Sequence, residues 1–205
     1  MASTPTAAPA VASTVGLKNL VIAPLLTDTE KETTYDTLQR VAGAIEASIT
    51  PDNTDPDVQY FDDVEGDVLY ADPELSFKTK LADLPLKIQE MIFGNQIDSN
   101  GVLIRSSTDK PGYFAVGFKS EKSNGKYRYI WLYKVRAKPT TETYATKEGK
   151  SITRQTGEVE WVAIKRTSDN RYQVIADEDE NGFTAERAAT FLDSVYQPVV
   201  TGGLG

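Results

Sequence analysis

The sequence contains no cysteine and no histidine among its 205 residues. The absence of cysteine excludes disulfide bonds, zinc–thiolate sites and thiolate nucleophiles. The absence of histidine excludes serine–histidine triads, histidine-ligated metals and imidazole general bases. Any catalysis would therefore depend on carboxylates, lysine, tyrosine or a serine–lysine pair.

Long apolar runs are also missing, because none approaches the roughly 18 residues that a membrane helix needs. Basic residues are outnumbered, with 22 Lys and Arg against 30 Asp and Glu and a net charge of −8. A protein that grips nucleic acid by neutralising its phosphates has the opposite balance. The N-terminal residues lack the basic region and the apolar stretch of a signal peptide, so we expect a soluble chain that is not exported.

The chain has the size of one domain with weakly structured ends. Residues 1–14 are mostly Ala, Pro, Ser and Thr without periodicity, which predicts a flexible arm, and residues 198–205 predict a flexible tail. The domain between them, residues 15–197, contains two polar segments at 51–72 and 139–157. We expect both segments to project as loops.

Most of the domain has the apolar or alternating pattern of β-strands. Asn124 and Gly125 supply the residues that a tight hairpin turn needs, and residues 168–170 are predicted to join a second hairpin. The predicted strands are Val15–Leu26, Arg40–Thr50, Val68–Leu81, Val102–Ser106, Tyr113–Lys119, Lys126–Lys138, Glu158–Thr167 and Arg171–Ala176.

Two amphipathic helices are also predicted. One begins near Asp83 and ends at Gly94, and the other begins after the capping residue Thr184 and stops before Pro198. Many strands with two helices indicate a mainly β, α+β fold. We predict an antiparallel β-sandwich with one or two flanking α-helices.

The predicted strand at 126–138 has two bulky faces. Tyr127, Tyr129 and Trp131 alternate along one face, and Ile130 and Leu132 lie on the other. A half-exposed strand would have one polar face. We expect the aromatic face to be internal, and Ile130 and Leu132 to be covered by a helix or by a neighbouring subunit.

Three groups of residues could have a chemical role. The segment DEDENG at 177–182 matches the start of a calcium-binding loop, but Ala188 stands where the loop needs a bidentate glutamate. An acidic turn that caps the next helix fits better, and whether Asp177 and Asp179 bind a cation stays open. The carboxylates of 52–72 and the Tyr–Trp row leave a carbohydrate-binding or carboxylate-based glycosidase domain as an alternative function.

Several segments together resemble a known family, the major tail proteins or tail tube proteins of long-tailed non-contractile phages of Gram-positive bacteria. The most distinctive stretch is GYFAVGFKSEKSNGKYRYIWLYKVRAKP at 112–139. The others are VGLKNLVIAPLLTDT at 15–29, VAGAIEASITPDN at 41–53, ADLPLKIQEMIFG at 82–94 and ADEDENGFTAERAATFLDSVY at 176–196.

This resemblance implies a structural protein without catalytic residues, cofactor or metal. Six copies would close into a ring, and rings would stack into a hollow tube through which double-stranded DNA passes into the host. The resemblance also implies a place in the virion tail, assembly in the host cytoplasm, and partners: a tape measure protein, a tail terminator and a baseplate or distal tail protein.

A tube of this kind needs a polar wall and contacts between unlike surfaces of identical subunits. Strands with clean alternation are candidates for the wall, and they place Glu46, Glu74, Glu158 and Glu160 on the lumen side. Ile130 and Leu132 are candidates for the subunit interface. The negative net charge predicts an acidic or mixed lumen that lets DNA slide, because a basic wall would hold it.

Overall fold

The computed structural model of the chain describes residues 12–51, 57–61, 64–69, 75–139 and 157–199, and in 57–61 and 64–69 the backbone alone. Residues 1–11 of the predicted arm lie outside this part, as do 200–205, much of 51–72 and nearly all of 139–157.

The fold is mainly β, with two short helices, as the sequence predicted. The helices are α1 (Leu86–Phe93) and α2 (Ala185–Thr190). The strands are β1 (Thr14–Asp28), β2 (Thr33–Tyr35), β3 (Gln39–Arg40), β4 (Ala44–Pro51), β5 (Asp57–Phe61), β6 (Val64–Leu69), β7 (Leu75–Leu81), β8 (Gln96–Ile97), β9 (Leu103–Ile104), β10 (Phe114–Lys122), β11 (Tyr127–Ala137), β12 (Gly157–Ala163) and β13 (Gln173–Asp177).

One large antiparallel sheet holds most of the strands, in the order β2-β1-β10-β11-β12-β7-β4. β13 lies beside β11, and β3 beside β1. β5 with β6 and β8 with β9 form separate two-stranded sheets. Because β1 also packs against β4, the sheet curls into two layers around a core, which gives the predicted sandwich-like fold.

The strand β11 contributes to two hydrophobic clusters, one on each of its faces. Ile130 and Leu132 belong to the inner cluster between the two layers, with Phe77 and Trp161 from β7 and β12. Tyr129 and Trp131 belong to an outer cluster on the opposite face. The arrangement is therefore the reverse of the prediction, because Ile130 and Leu132 pack inside the sandwich and the aromatic face lies on its outside, covered by another part of the chain.

The outer cluster is covered by residues 183–197, which we call the C-terminal strap. Phe191 of the strap meets the Tyr129 ring edge-on at 5.4 Å between centroids. The Trp131 indole donates a hydrogen bond to the Phe191 carbonyl at 3.0 Å, and the Tyr133 hydroxyl donates to the Tyr196 carbonyl at 2.8 Å. These bonds attach the strap to β11.

Arg166 binds the C-terminal end of the strap through the side chain of Gln197. Its guanidinium is buried, donates two hydrogen bonds of 2.6 Å to Asp169, and lies 4.0 Å from the centre of the Tyr133 ring. A further nitrogen donates to the Gln197 side chain at 2.8 Å. The planar, forked guanidinium suits such a site because it can stack and form paired hydrogen bonds at once.

The local sequence determines which face of α1 is buried and where the helix ends. Ile88 and Ile92 are buried on its inner face. Gly94 ends it in the left-handed conformation, with φ of 70°. A Cβ at Gly94 would lie 2.5 Å from the Lys110 carbonyl oxygen, so both the conformation and the space require glycine.

The second helix is shorter than predicted. Thr184 caps α2 by accepting a hydrogen bond from the Arg187 backbone nitrogen, as predicted, but the helix ends at Thr190. After it, the Phe191 and Tyr196 carbonyls accept hydrogen bonds from Trp131 and Tyr133. Carbonyls bound in this way do not continue an α-helical ladder.

The predicted second hairpin is wrong, because β12 and β13 do not pair with each other. Instead β12 pairs with Val135–Ala137 of β11, and β13 pairs with Arg128–Leu132 of the same strand. The turn between them exists, with Asn170 at φ of 57°. The eleven residues of β11 are long enough to hold two shorter strands end to end along one edge.

Candidate functional site

The outward face of β4, β7 and β12 is the candidate functional surface, and we call it the charged face. On β7 the side chains of Leu75, Phe77, Thr79 and Leu81 are buried, while those of Lys78 and Lys80 point out. Lys78 lies between Glu160 of β12 and Ser48 of β4, and Lys80 lies between Glu158 and Glu46. The face is therefore entirely polar at its centre.

Opposite charges alternate across the charged face. The Lys80 ammonium lies 3.0 Å from Glu46, and the Lys78 ammonium lies 3.8 Å from Glu158 and is also paired with Glu160. The hydrogen bond and charge of Lys78 lower the pKa of Glu160. The hydrogen bonds that Lys78 donates to Glu160 and Lys80 donates to Glu46 raise the pKa of both lysines.

These ion pairs contribute little to folding. Their side chains are between 38% and 57% exposed, and exposed pairs contribute about 0–1 kcal/mol each. Their effect is on the net charge of this surface, because the two lysines nearly balance the charge of the three glutamates. The described centre of this face is mixed in charge and not basic.

Three of the four glutamates predicted to share a face do share it. Glu46, Glu158 and Glu160 come from two strands that are separated by β7, and all three contact its lysines. The fourth, Glu74, lies outside the described residues. The lysines that pair with these glutamates are the residues that complete the face.

The prediction that Ile130 and Leu132 face a neighbouring subunit is wrong for the folded chain. Ile130 is 6% exposed and Leu132 is 0% exposed in the chain alone. Phe77 and Trp161 of the opposite layer cover them, so the sandwich closes over this face by itself. The second bulky face of β11 therefore has an intramolecular partner.

The acidic segment at 177–182 is occupied by basic side chains of the same protein. Lys122 is buried and contacts both Asp177, at 2.9 Å, and Asp179. Arg128 donates a 2.6 Å hydrogen bond to Asp177, and the Lys126 ammonium lies 3.0 Å from Asp179. The Lys122 ammonium thus stands where the loop pattern would place a cation.

The electrostatics of this segment agree with that geometry. Burial alone would raise the pKa of Asp177, but hydrogen bonds from Lys122 and Arg128 outweigh it and lower the pKa. Hydrogen bonds from Lys122 and Lys126 lower the pKa of Asp179 strongly. Among the described residues, no group of three or more acidic side chains is arranged to hold a metal ion.

Sequence reasoning did not find Lys122 as the partner of these aspartates. The two segments are 55 residues apart, between Lys122 and Asp177, and only the pairing of β11 with β13 brings them together. A local signal did exist. Lys122 and Lys126 flank the Asn124–Gly125 turn, so a predicted hairpin already placed two cations at its tip.

The aromatic row of β11 is a core element and not an open platform. Trp131 and Tyr133 are 0% exposed, and Tyr129 is 3% exposed. Burial raises the pKa of both tyrosines well above its ordinary value, and in Tyr129 a hydrogen bond to Glu178 adds to this. The C-terminal strap occupies the surface on which a sugar ring or a base would stack.

No protein-family model matches the chain, and no curated protein sequence matches it. In the described part of the chain, neither helix has the length and apolar character needed to cross a membrane.

Proposed function

We propose that this protein is a structural subunit of a phage tail tube with no enzymatic activity. Six copies close into a ring, and rings stack into a hollow tube that conducts double-stranded DNA. The protein then resides in the virion tail, after assembly in the host cytoplasm. The tape measure, the terminator and the baseplate or distal tail protein are its expected partners, and the sequence resemblance supports each of these assignments.

The charged face is the observation that carries the proposal. A wall that conducts DNA must be wetted by water, and it must not bind phosphates strongly. A polar sheet face on which lysines alternate with glutamates meets both requirements. The near balance of charge at Lys78, Lys80 and their glutamate partners removes the counterion-release energy that a basic wall would gain.

The edges of the charged face support ring closure. Among the described residues β4 has a hydrogen-bonded partner on one side only, namely β7. On the opposite edge, Gly157–Val159 of β12 also pair with β7 alone. Pairing β4 of one copy with β12 of the next would continue the face around a ring and remove both free edges.

Ile45 marks the β4 edge. It lies at a register shift in the pairing with β7, and its side chain is 53% exposed. An exposed isoleucine beside an unpaired strand edge is a surface that association would bury. We place it in the contact between neighbouring subunits.

No observation favours the carbohydrate-binding or glycosidase alternative. Its stacking surface would be the aromatic row of 127–133, in which Tyr129, Trp131 and Tyr133 are buried and Tyr127 is half-buried. Most of the acidic cluster at 52–72 lies outside the residues whose side chains are described.

The test is negative-stain electron microscopy of the purified chain and of two matched variants. We expect wild-type protein to form six-fold rings and tubes. Ile45→Lys should stay folded but remain monomeric, because the charge would be buried at the β4 edge. The control Val102→Lys changes an equally exposed residue, 55% against 53%, beyond the charged face and should assemble normally.

The possible outcomes test the proposed function and the proposed subunit interface separately. Wild-type protein that stays monomeric at high concentration and binds polysaccharide contradicts the tube assignment. Normal tubes from Ile45→Lys would leave the function standing and refute the β4 edge as its interface.

A further inference from the structure

The sequence contains three Asn-Gly dipeptides, and each lies in an exposed turn. They are Asn100–Gly101 between β8 and β9, Asn124–Gly125 at the tip of the β10–β11 hairpin, and Asn181–Gly182 between β13 and α2. An asparagine followed by glycine loses its side-chain amide readily, because glycine has no Cβ to hinder the approach of its backbone nitrogen. The three dipeptides share this chemistry, so the fold decides which of them reacts.

The reaction is a deamidation, and it needs no reactant other than water. The backbone nitrogen of the glycine loses its proton and forms a bond to the side-chain carbonyl carbon of the asparagine. The bond from that carbon to the side-chain nitrogen breaks, and ammonia leaves with the proton. Water then opens the succinimide ring at either carbonyl, which gives aspartate or isoaspartate. A hydrogen bond to the attacking nitrogen or to the leaving amide must therefore break before the ring can form.

The fold holds the reacting groups of Asn124 in place. The Gly125 backbone nitrogen donates a hydrogen bond to the Lys122 carbonyl at 2.9 Å. The Asn124 side-chain nitrogen donates to both carboxylate oxygens of Asp179 at 3.1 Å. The Asn124 side-chain oxygen accepts from the Lys126 backbone nitrogen at 3.1 Å. Both the attacking nitrogen and the leaving amide are thus bound at this turn.

The reacting groups of Asn100 are held less firmly. The Gly101 backbone nitrogen donates to the Asp98 carbonyl at 3.0 Å. The Asn100 side-chain nitrogen lies farther from its acceptor, at 3.4 Å from the Asp98 carboxylate. The attacking nitrogen is therefore bound firmly at this turn, and the leaving amide only weakly.

Asn181 differs from both of these residues. In the part of the chain that the structure describes, neither its side chain nor the Gly182 backbone nitrogen has a hydrogen-bond partner. Both residues are exposed, and they line an open hollow of about 550 Å³ beside β13. The hollow leaves space for the Asn181 side chain to turn towards the Gly182 nitrogen and for water to reach the ring.

We propose that Asn181 is a site of spontaneous deamidation in the folded protein, and that it reacts faster than Asn100 and Asn124. The proposal rests on the contrast between three chemically alike dipeptides, of which two are held by hydrogen bonds and one is not. It does not depend on the tail tube proposal.

The modification would loosen the start of the C-terminal strap. Isoaspartate carries the backbone through the former side chain, which adds one backbone atom between Glu180 and Phe183. The Phe183 backbone nitrogen donates to the Glu180 carbonyl at 3.2 Å, and its ring lies 5.5 Å from Tyr129 and 5.4 Å from Phe191. A longer backbone at this turn cannot keep the hydrogen bond and both ring contacts.

The test compares the three asparagines within the same molecules. The purified full chain is incubated at mildly alkaline pH, either folded or unfolded in guanidinium chloride. Peptide mapping by mass spectrometry then measures the fraction of each asparagine converted to aspartate or isoaspartate over time. Because every sample contains all three dipeptides, each site serves as a control for the others.

In the folded protein we expect Asn181 to convert at least about ten-fold faster than Asn124 and about two- to ten-fold faster than Asn100, because each hydrogen bond that must break slows the step. In the unfolded chain the three rates should agree within about three-fold. Conversion of Asn181 no faster than that of Asn100 or Asn124 in the folded protein would overturn the proposal. The same rate ratios in the unfolded chain would also overturn it, because they would assign the order to the flanking sequence.

The effect on the strap is tested with the variant Asn181→Gln, which keeps the amide but closes the larger ring far more slowly. After incubation, limited proteolysis should cleave residues 183–197 of the wild-type protein at least about two-fold faster than before, and the variant should be unchanged. Equal acceleration in both proteins would contradict the loosening of the strap by this modification.

Discussion

At the scale of single residues, Arg166 is the most deeply buried charged side chain in the part of the chain that the structure describes. It is 2% exposed, and its partners Asp169, Tyr133 and Gln197 come from three different parts of the chain. Removing one partner of a buried ion pair leaves the other charge poorly solvated. Arg166 thus links the end of the C-terminal strap, through Gln197, to the Asp169 turn.

We predict that Arg166→Met lowers the free energy of unfolding by about 3 kcal/mol, measured by urea denaturation. Arg166→Lys should also destabilise, because lysine keeps the charge but loses the paired hydrogen bonds and the ring stacking. Arg187→Met, at an exposed position on α2, should change stability by less than about 0.5 kcal/mol. A loss at Arg166 no larger than at Arg187 would show that the other contacts of the strap are sufficient to hold it.

Because of Asp28, the free energy of unfolding of this protein depends on pH in the acidic range. Burial alone would raise its pKa, but hydrogen bonds from the Lys134 ammonium at 2.5 Å and from the Thr167 backbone and hydroxyl lower it. A carboxyl with a lowered pKa in the folded state stabilises the fold above its unfolded pKa of about 4. This contribution is lost as the pH falls from about 4 through the folded pKa.

We predict that wild-type protein is more stable than Asp28→Asn at pH 7, and that the difference shrinks as the pH falls below about 4. Thr167→Val removes one donor and should show an intermediate difference. Urea denaturation between pH 2.5 and pH 7 measures all three proteins. A difference between wild type and Asp28→Asn that stays constant over this range would contradict the assignment.

Sequence periodicity predicted correctly which glutamates share the charged face. The prediction that Ile130 and Leu132 lie at a subunit interface was wrong. Alternation correctly placed Glu158 and Glu160 on one polar face, because a strand has a strict period of two. It could show that Ile130 and Leu132 share a face but not what covers that face. The cover comes from β7 and β12, distant segments whose packing no local pattern encodes.

At the scale of elements, the β10–β11 hairpin depends on one glycine. Gly117 is paired directly with Trp131, and a Cβ at Gly117 would lie 2.7 Å from the indole ring. The ring covers the glycine backbone, and its own nitrogen is bound to the Phe191 carbonyl at 3.0 Å. It therefore has no free direction in which to move.

We predict that Gly117→Ala destabilises the protein by about 1–3 kcal/mol through overpacking. Gly112→Ala is the matched control, because its Cβ would meet the Phe114 ring at an ordinary 3.5 Å. That change should be neutral or stabilise by up to about 1 kcal/mol. Urea denaturation followed by tryptophan fluorescence compares the two variants, and equal stabilities would argue that Trp131 can shift freely.

Elements with local signals were predicted, and elements fixed by distant contacts were not. The Asn124–Gly125 turn and the end of α1 at Gly94 are encoded within a few residues. The end of α2 is set instead by hydrogen bonds from Trp131 and Tyr133. The places of β12 and β13 are likewise set by the length of β11.

At the scale of the whole molecule, the charge of one face is the property that the proposed tube depends on. Residues 52–72 hold eight acidic residues and no Lys or Arg, which equals the net charge of −8, whereas the centre of the charged face is close to neutral. Reversing glutamates there would create a basic wall without disturbing the core, because these side chains are exposed. The same reversal elsewhere changes the net charge equally.

We predict that tubes of Glu158→Lys with Glu160→Lys retain duplex DNA at low salt, with an affinity that falls steeply as salt rises. The control, Glu30→Lys with Glu32→Lys, makes the same charge change in the exposed turn between β1 and β2 and should behave as wild type. Co-sedimentation of labelled DNA with tubes measures retention. Equal retention by both variants would assign the effect to net charge and not to the face.

The pairing of β1 with the distant strand β10 has a consequence for the synthesis of the protein. Lys18 of β1 and Glu121 of β10 form an ion pair across neighbouring strands, yet they are 103 residues apart in the chain. On the ribosome, the apolar stretch Leu20–Ala23 must therefore wait for more than half of the polypeptide before its partner strand emerges. Stalled or truncated translation products would expose this stretch, which makes them substrates for chaperones and for degradation.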